Sequence, residues 1–525
     1  MTKHTRRHVL RSAAAVAAGA AAYAALPLTG ENGGMAQAAL AETGASRGRY
    51  PFLQGAFAPV RKEVTAFDLP VTGRIPRELN GRYLRIGPNV LGLEDPRAHH
   101  WMHGEGMVHG VRLREGRAEW YRNRWVRSAT VAGKLGEPYP GPVPKEDFAC
   151  NTHVIAHNGR ILALQESGPL PYELDGELNT LGHYDFGGTL DSTFTAHTKF
   201  DAEAGELHAV TYNPMWQHVR HLVVDQTGRV TRTTRIPMTA SPFMHDFALT
   251  KRYVVLLDVP VTFDPEAAAA GAPVPYTWND RHPARVGVLP RAGGHIRWFD
   301  APMVLYSHTL NAYDDGTSVV VDLTTFEAPF YPGGRGSGGP GSTSAPSLDR
   351  WTIDLARGRV RTSRLDDRPQ EYPRVNEALV SRRHRYGYSA AAAEMFQAFE
   401  TVDGVPPDRT FSNALIKHDL VRGTSEVHRF PRTVAGQRGP RPSGPASSER
   451  SHQPSWTVAT APRSAPTAAP LVTVSTSPST PRTSSPETTP APPRVRAAMT
   501  TRVGRSHSEI GPVRSTPAWP ARART

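Results

Sequence analysis

Three histidines lie in strand-like segments of similar character. They are His197 in FTAHTKFD, His245 in FMHDFALT and His308 in LYSHTLNAYDD, each with an acidic residue or a turn nearby. The intervals between them are roughly the 40 to 50 residues of one propeller blade, once loop insertions are allowed. Imidazoles from successive blades would converge on one axis, where several can bind a single metal ion.

His245 taken alone has a simpler interpretation. If FMHDFALT is an extended strand, Phe243, His245 and Phe247 share one face, which is typical of a buried, hydrogen-bonded core histidine. Asp246 then points to the opposite face, so it does not form a catalytic pair with His245. The metal site is favoured only because three histidines recur in matching surroundings.

The ligand chemistry is restricted by the cysteine count. Cys150 is the single cysteine, which excludes an intrachain disulfide framework and a cysteine-only zinc site. Histidine ligation suits iron, copper, zinc or nickel. The second ring nitrogen of each ligand needs a partner that fixes its tautomer, and Glu166 and Glu377 are acids in strand-like segments that could serve.

The elements that must position these histidines are β-strands. From residue 42 to about 432, short runs such as YVVLLDV, SVVVDL and RWTIDL alternate with turn signals such as HNGR, YDDGT and LARGR. This pattern predicts an all-β domain, either a propeller or a large sandwich.

The two ends of the chain differ from this body. Residues 1–41 combine Arg6-Arg7, a run of small apolar residues and small-residue cleavage sites, a pattern that resembles a twin-arginine signal peptide. We therefore expect export to the cell envelope or beyond, with an uncleaved anchor as the alternative; an unused signal would leave the protein cytoplasmic.

Residues 433–525 form a tail rich in Pro, Ser, Thr, Ala and Arg. Such a composition predicts disorder, because little apolar surface can be buried. The tail has twelve arginines, three glutamates and no lysine, so it carries most of the net charge of +13. Since the body is close to neutral, we expect no nucleic-acid partner.

Several segments together carry a family resemblance. They include GRIPRELNGRYLRIGPN, HWMHGEGMVHG, LALQESGPLPYELD, FTAHTKFD, FMHDFALT, SHTLNAYDDG and YPRVNEALV, in order over residues 57 to about 432. The chain resembles the carotenoid cleavage oxygenase family, which includes the retinal pigment epithelial protein, apocarotenoid oxygenases and lignostilbene dioxygenases.

The resemblance implies a seven-bladed β-propeller capped by a dome of loops and short helices, with Fe(II) on the axis. It implies that His197, His245 and His308 are three of four iron ligands, and that Glu166 and Glu377 orient ligand histidines. The implied reaction is the O2-dependent cleavage of a carbon-carbon double bond in a carotenoid, apocarotenoid or stilbene-like substrate, giving two carbonyl products. Uptake of such an apolar molecule would involve peripheral membrane contact.

The C-terminus departs from the family. The expected closing strands and the last histidine ligand, in a GFHG-like context, are missing, and His428, His452 and His507 lie in other surroundings. The fourth ligand is therefore unassigned. We interpret the tail as an out-of-frame reading of a GC-rich gene, with a genuine disordered extension as the alternative. Either way we expect an incomplete propeller that binds iron weakly; a catalytically impaired propeller that binds an apolar ligand or a partner protein is the alternative function.

Overall fold

Antiparallel β-strands account for nearly all the regular structure in this computed structural model. The structure describes residues 53, 58–69, 71–93, 96, 99, 104–142, 147, 149–190, 192–269, 275–326, 346–391, 414–429, 455–460, 473–476 and 495–498. The predicted signal peptide, at 1–41, and most of the tail after residue 432 lie outside these residues. Among the described residues, no helix combines the length and the apolar character that a membrane crossing requires.

The strands are numbered β1 to β30 in chain order. Strands β1 to β9 are Val64–Phe67, Val71–Thr72, Gly81–Asn89, Glu105–Arg114, Arg117–Trp125, His153–His157, Arg160–Leu164, Tyr172–Leu174 and Thr180–His183. Strands β10 to β19 are Thr198–Asp201, Glu206–Thr211, His218–Val224, Val230–Pro237, Ala248–Leu249, Tyr253–Asp258, Val261–Phe263, Tyr276–Trp278, Arg285–Pro290 and Arg297–Asp300. Strands β20 to β30 are Leu305–Asp315, Ser318–Phe326, Ser347–Asp354, Arg359–Asp366, Gln370–Arg374, Tyr386–Ala391, Ala414–Asp419, Thr424–Arg429, Ser455–Thr460, Thr473–Thr476 and Val495–Ala498.

Six sheets of at least four strands form the blades of a β-propeller. Blade one has the order β1-β5-β4-β3-β28, and blade two is the meander β6-β7-β8-β9. Blades three to six are β10-β11-β12-β13, β14-β15-β18-β19, β20-β21-β22-β23 and β24-β25-β26-β27. The all-β propeller is confirmed, and the structure resolves six blades among its described residues where the resemblance led us to expect seven.

Burial follows the order of strands within a blade. In β15 every residue after the first is buried, so this apolar run is covered on both faces, whereas the outer strand β23 is largely exposed. One apolar cluster joins Val210 of blade three, Val255 of blade four and Val321 of blade five. Full burial of a valine or leucine side chain stabilises the fold by about 1.5–3 kcal/mol. The blades that carry the histidines therefore share one core.

Short helices occur in two connections between strands. Helix α1 spans Ala129–Leu135, and the Ser128 side chain caps it by accepting a hydrogen bond from the Val131 backbone N–H. Helix α2 spans Pro265–Ala269, and a single 3-10 turn spans Glu377–Leu379.

Part of the tail is described as strand. Strand β28 pairs antiparallel with β3, from Ser455 opposite Ile86 to Thr460 opposite Gly81. Strand β30 pairs with β29 and, in parallel, with β2. Both tail segments thus pair with strands from the first part of the chain.

A glycine at the junction of blades one and two gives a test of this packing. A Cβ atom at Gly106 would stand 1.8 Å from the Cys150 carbonyl oxygen. Because backbone cannot swing aside as a side chain can, we expect Gly106→Ala to lower the free energy of unfolding by about 1–3 kcal/mol or more, measured by denaturant titration. Gly133→Ala is the control, since a Cβ there meets nothing within 4 Å and alanine favours helix α1. Equal stability of the two variants would contradict the packing.

Candidate metal centre

The three histidines enter the axis from the starts of three consecutive blades. His197 directly precedes β10, His245 lies three residues before β14, and His308 is the fourth residue of β20. Our expectation of one continuous strand over FMHDFALT is wrong, because the regular strand there covers only Ala248–Leu249. His245 is 16% exposed in an irregular segment that is otherwise buried.

The imidazoles converge closely. The Nε2 atoms of His245 and His308 are 3.2 Å apart, and one ring nitrogen from each of the three histidines lies within 4.8 Å of the others. The ring centroid of His197 is 4.5 Å from that of His245 and 4.9 Å from that of His308. The structure thus brings together all three histidines that the sequence pattern singled out.

Glu166 fixes the orientation of His245. This residue follows β7, and its Oε1 accepts a hydrogen bond from His245 Nδ1 at 2.7 Å. The Tyr212 hydroxyl donates to the same oxygen. Because the Nδ1 proton is held by the carboxylate, the Nε2 lone pair of His245 is directed toward the other two histidines.

Glu371 fixes the orientation of His308. Our prediction that Glu377 orients a ligand histidine is therefore wrong. Glu371 lies in β24, is 2% exposed, and accepts from His308 Nδ1 at 2.8 Å. Its other oxygen accepts from the Thr324 hydroxyl at 2.9 Å. Glu377 is instead an exposed residue of the 3-10 turn. The segment EYPRVNE contains both glutamates, and only the first belongs to the strand that faces His308.

Charge in this region favours a bound cation. Burial opposes ionisation of Glu166, but His245 and the Tyr212 hydroxyl outweigh it and hold the pKa of Glu166 below its usual value. Burial, reinforced by His245 and His308, lowers the pKa of His197 well below its usual value, so this imidazole is neutral. The carboxyl groups of Glu166 and Glu371 therefore stand behind a set of nitrogen donors that includes the uncharged imidazole of His197.

The donor set fits a divalent transition metal. With Nδ1 of His245 and His308 bonded to carboxylates, their Nε2 lone pairs face each other, an arrangement that a shared cation relieves. The Nε2 atom of His197 is buried and has no hydrogen-bond partner in the described part of the chain. Cys150 is elsewhere, donating to the Ala163 carbonyl oxygen. Three nitrogen donors without a thiolate are typical of iron, copper or zinc sites that leave positions open.

The fourth ligand stays unassigned. Among the described residues, His197, His245 and His308 are the one group of at least three such side chains with ligand spacing. His428 lies in β27, the last strand of blade six, while His452 and His507 lie outside the described residues.

Known proteins are similar to this chain over most of its length. The model of the retinal pigment epithelial membrane protein family matches residues 57–450. A carotenoid cleavage oxygenase of Mycobacterium tuberculosis is 43% identical over 432 residues, covering 73% of this chain and 84% of the relative. An isoeugenol monooxygenase of Pseudomonas putida is 33% identical over 362 residues, covering 64% of this chain and 75% of the relative.

A solved structure supports the match at the level of the fold and the sequence. The lignostilbene dioxygenase of Pseudomonas brassicacearum superimposes with a TM-score of 0.64 at 30% identity, covering 72% of this chain and 83% of that one. The three histidines and the strands that position them all fall within the residues matched by the family model. The chain belongs to the retinal pigment epithelial membrane protein family.

Proposed function

We propose that this protein is an Fe(II)-dependent oxygenase that cleaves a carbon-carbon double bond with O2. The observation that carries the proposal is the convergence of three imidazoles in a chain of this family, with Glu166 bonded to His245 and the buried Glu371 bonded to His308. Three nitrogen ligands leave room for further molecules beside the ion, which an O2-dependent reaction requires.

The proposed reaction balances without an external reductant. Both bonds between the two alkene carbons and the bond of O2 break, and two new carbon-oxygen double bonds form, so the alkene supplies the four electrons that reduce O2. Bound iron supplies the redox chemistry that lets ground-state O2 react with a closed-shell alkene. The protein needs no general acid or base, because no proton is transferred.

The residues around the histidines suit an apolar substrate. Phe243 stacks on His245, with ring centroids 5.4 Å apart and an interplanar angle of 9°. The ring of Tyr372 lies 5.4 Å from that of His308. Such aromatic walls exclude water and offer flat surfaces to a conjugated molecule. Similar proteins are named carotenoid cleavage oxygenase, isoeugenol monooxygenase and lignostilbene dioxygenase, which supports a polyene or stilbene-like substrate here.

Product analysis tests the proposal. Iron-loaded protein is incubated with a carotenoid, an apocarotenal and a hydroxystilbene, and the products are separated by chromatography with mass detection. We expect one substrate to give two carbonyl fragments, with one O2 consumed per cleaved molecule and no products in anaerobic or chelator-treated samples. Iron bound but no fragments from any of the three would contradict it.

The second candidate function is a propeller that binds an apolar ligand or partner without turnover. It is favoured by the site itself, because three histidines rather than four come together among the described residues. Saturable binding of one of the three substrates, with no cleavage at full iron loading, would support this candidate.

We further propose that the propeller has a seventh blade. The three-stranded sheet β2-β30-β29, which combines an early strand with two tail strands, is our candidate for the remnant of a seventh blade. We also propose that residues 1–41 direct export of the protein. We propose in addition that the protein contacts a membrane peripherally to take up its substrate. The apolar nature of the proposed substrates is what supports the membrane contact.

A further inference from the structure

Asp246 is a buried carboxylate that the metal centre described above does not use. It directly follows His245 and is 2% exposed. Its Oδ1 accepts from the Phe247 backbone N–H at 2.8 Å, and its Oδ2 accepts from both the backbone N–H and the hydroxyl of Thr309, at 2.8 and 2.9 Å. Burial of a carboxylate is costly unless hydrogen bonds and an opposite charge compensate for the lost water.

The charge of Asp246 is balanced by Lys199. The Lys199 ammonium lies 2.9 Å from Oδ1 and 3.0 Å from Oδ2 of Asp246. This lysine is two residues from His197, in blade three, while Asp246 belongs to the segment that enters blade four. The ion pair therefore links the chain beside the first histidine to the chain beside the second.

Thr309 extends the link to the third histidine. It follows His308 in β20, and its hydroxyl contacts both Asp246 Oδ2 and the Phe247 carbonyl oxygen, the latter at 3.0 Å. The Tyr306 hydroxyl, from the same strand, donates to the Asp246 carbonyl oxygen. The Asp246 side chain, next to His245, thus bonds to Thr309, which follows His308, and to Lys199, which lies two residues after His197.

The irregular backbone at His245 makes this link more important. The Phe243 backbone N–H donates to the Val261 carbonyl oxygen at 3.1 Å, but residues 244 to 247 belong to no strand, because the regular strand begins at Ala248. The position of the His245 backbone relative to β20 is instead determined by side-chain bonds to Asp246. Distances between imidazoles from three separate blades cannot be set by local structure, so a connection between the blades has to set them.

We propose that Asp246, with Lys199 and Thr309, is a positioning residue that fixes the spacing of the three histidines for metal binding. The inference rests on the proposed function, because it assumes that the histidines bind a metal ion. Asp246 acts through the backbone of the ligands and touches neither the ion nor the substrate. Loss of its charge loosens the triad, so the affinity for the metal falls and the geometry at the ion changes.

The test uses Co(II) as the probe and the full chain. Co(II) is titrated into metal-free wild type and Asp246→Asn, and both affinity and the visible absorption spectrum are recorded. We expect an affinity lower by about tenfold or more in the variant, with shifted absorption bands. Asp258→Asn is the matched control, since Asp258 is equally buried and bonds to Arg285 and His282 within blade four. It should lower the melting temperature without altering affinity or spectrum.

A milder pair of variants covers the case in which Asp246→Asn does not fold. Thr309→Val removes the hydroxyl and keeps the backbone bond, while Thr250→Val removes a buried hydroxyl that bonds to Asp314. Only Thr309→Val should alter the Co(II) spectrum. If folded Asp246→Asn binds Co(II) with the affinity and spectrum of the wild type, the inference is overturned and the proposed function stays intact. If Asp246→Asn does not fold, the same result for Thr309→Val overturns the inference. Absence of Co(II) binding by the wild type would overturn both.

Discussion

Replacement of His308 by alanine is expected to abolish cleavage activity and to reduce bound iron to background. His308 supplies one of three converging nitrogens, and its loss leaves Glu371 as a buried carboxylate without the imidazole that donates to it. With two imidazoles remaining, the ion has too few ligands to stay bound at micromolar concentrations. Iron content by atomic emission and product formation from the best substrate measure the effect.

An exposed histidine provides the control for this experiment. His295 lies in the exposed turn between β18 and β19, so His295→Ala should retain wild-type iron content and activity. A His308→Ala protein that is folded by circular dichroism and still holds iron in the same amount would contradict the metal centre. The comparison also separates loss of a ligand from loss of a histidine in general.

A second experiment distinguishes the two glutamates of EYPRVNE. Glu371→Gln removes the negative charge that accepts from His308 Nδ1, so the imidazole becomes a weaker donor and loses its fixed orientation. We expect metal affinity to fall by roughly 10- to 100-fold, the range typical for residues that orient a ligand histidine. Competition with a chromogenic chelator measures it.

Glu377→Gln is the matched control, because Glu377 is six positions away and exposed. Its affinity for the metal should equal that of the wild type. If instead Glu377→Gln weakened binding and Glu371→Gln did not, the arrangement of β24 beside β20 would be wrong. A fall in melting temperature in both variants, without a change in affinity, would show that the glutamates serve stability alone.

The histidines were predictable from the sequence because each sits in a short segment whose character does not depend on distant residues. FTAHTKFD, FMHDFALT and LYSHTLNAYDD each place an imidazole among apolar residues, and their spacing matches blades. Glu166 was predictable for the same reason. The all-β class followed from the alternation of short apolar runs and turns between residue 42 and about 432, and the family resemblance selected a propeller over a large sandwich.

Glu371 was not predictable because its role depends on how two blades meet. Nothing local separates Glu371 from Glu377, and only the contact between β24 and β20 selects the first. The backbone at His245 was missed for a related reason. Alternating apolar residues indicated a strand, but bonds from Asp246 to residues of other blades hold the segment in an irregular conformation. Interactions between distant segments overrode a local pattern.

Because the three histidines come from three separate blades, a bound ion would affect how the protein unfolds. An ion held by His197, His245 and His308 would close two long loops of the chain at a single point, much as a covalent cross-link does. Because the three histidines come together only in the folded chain, the ion binds the folded state and shifts the unfolding equilibrium toward it. With the metal bound to all three blades, blades three, four and five would then unfold as one cooperative unit.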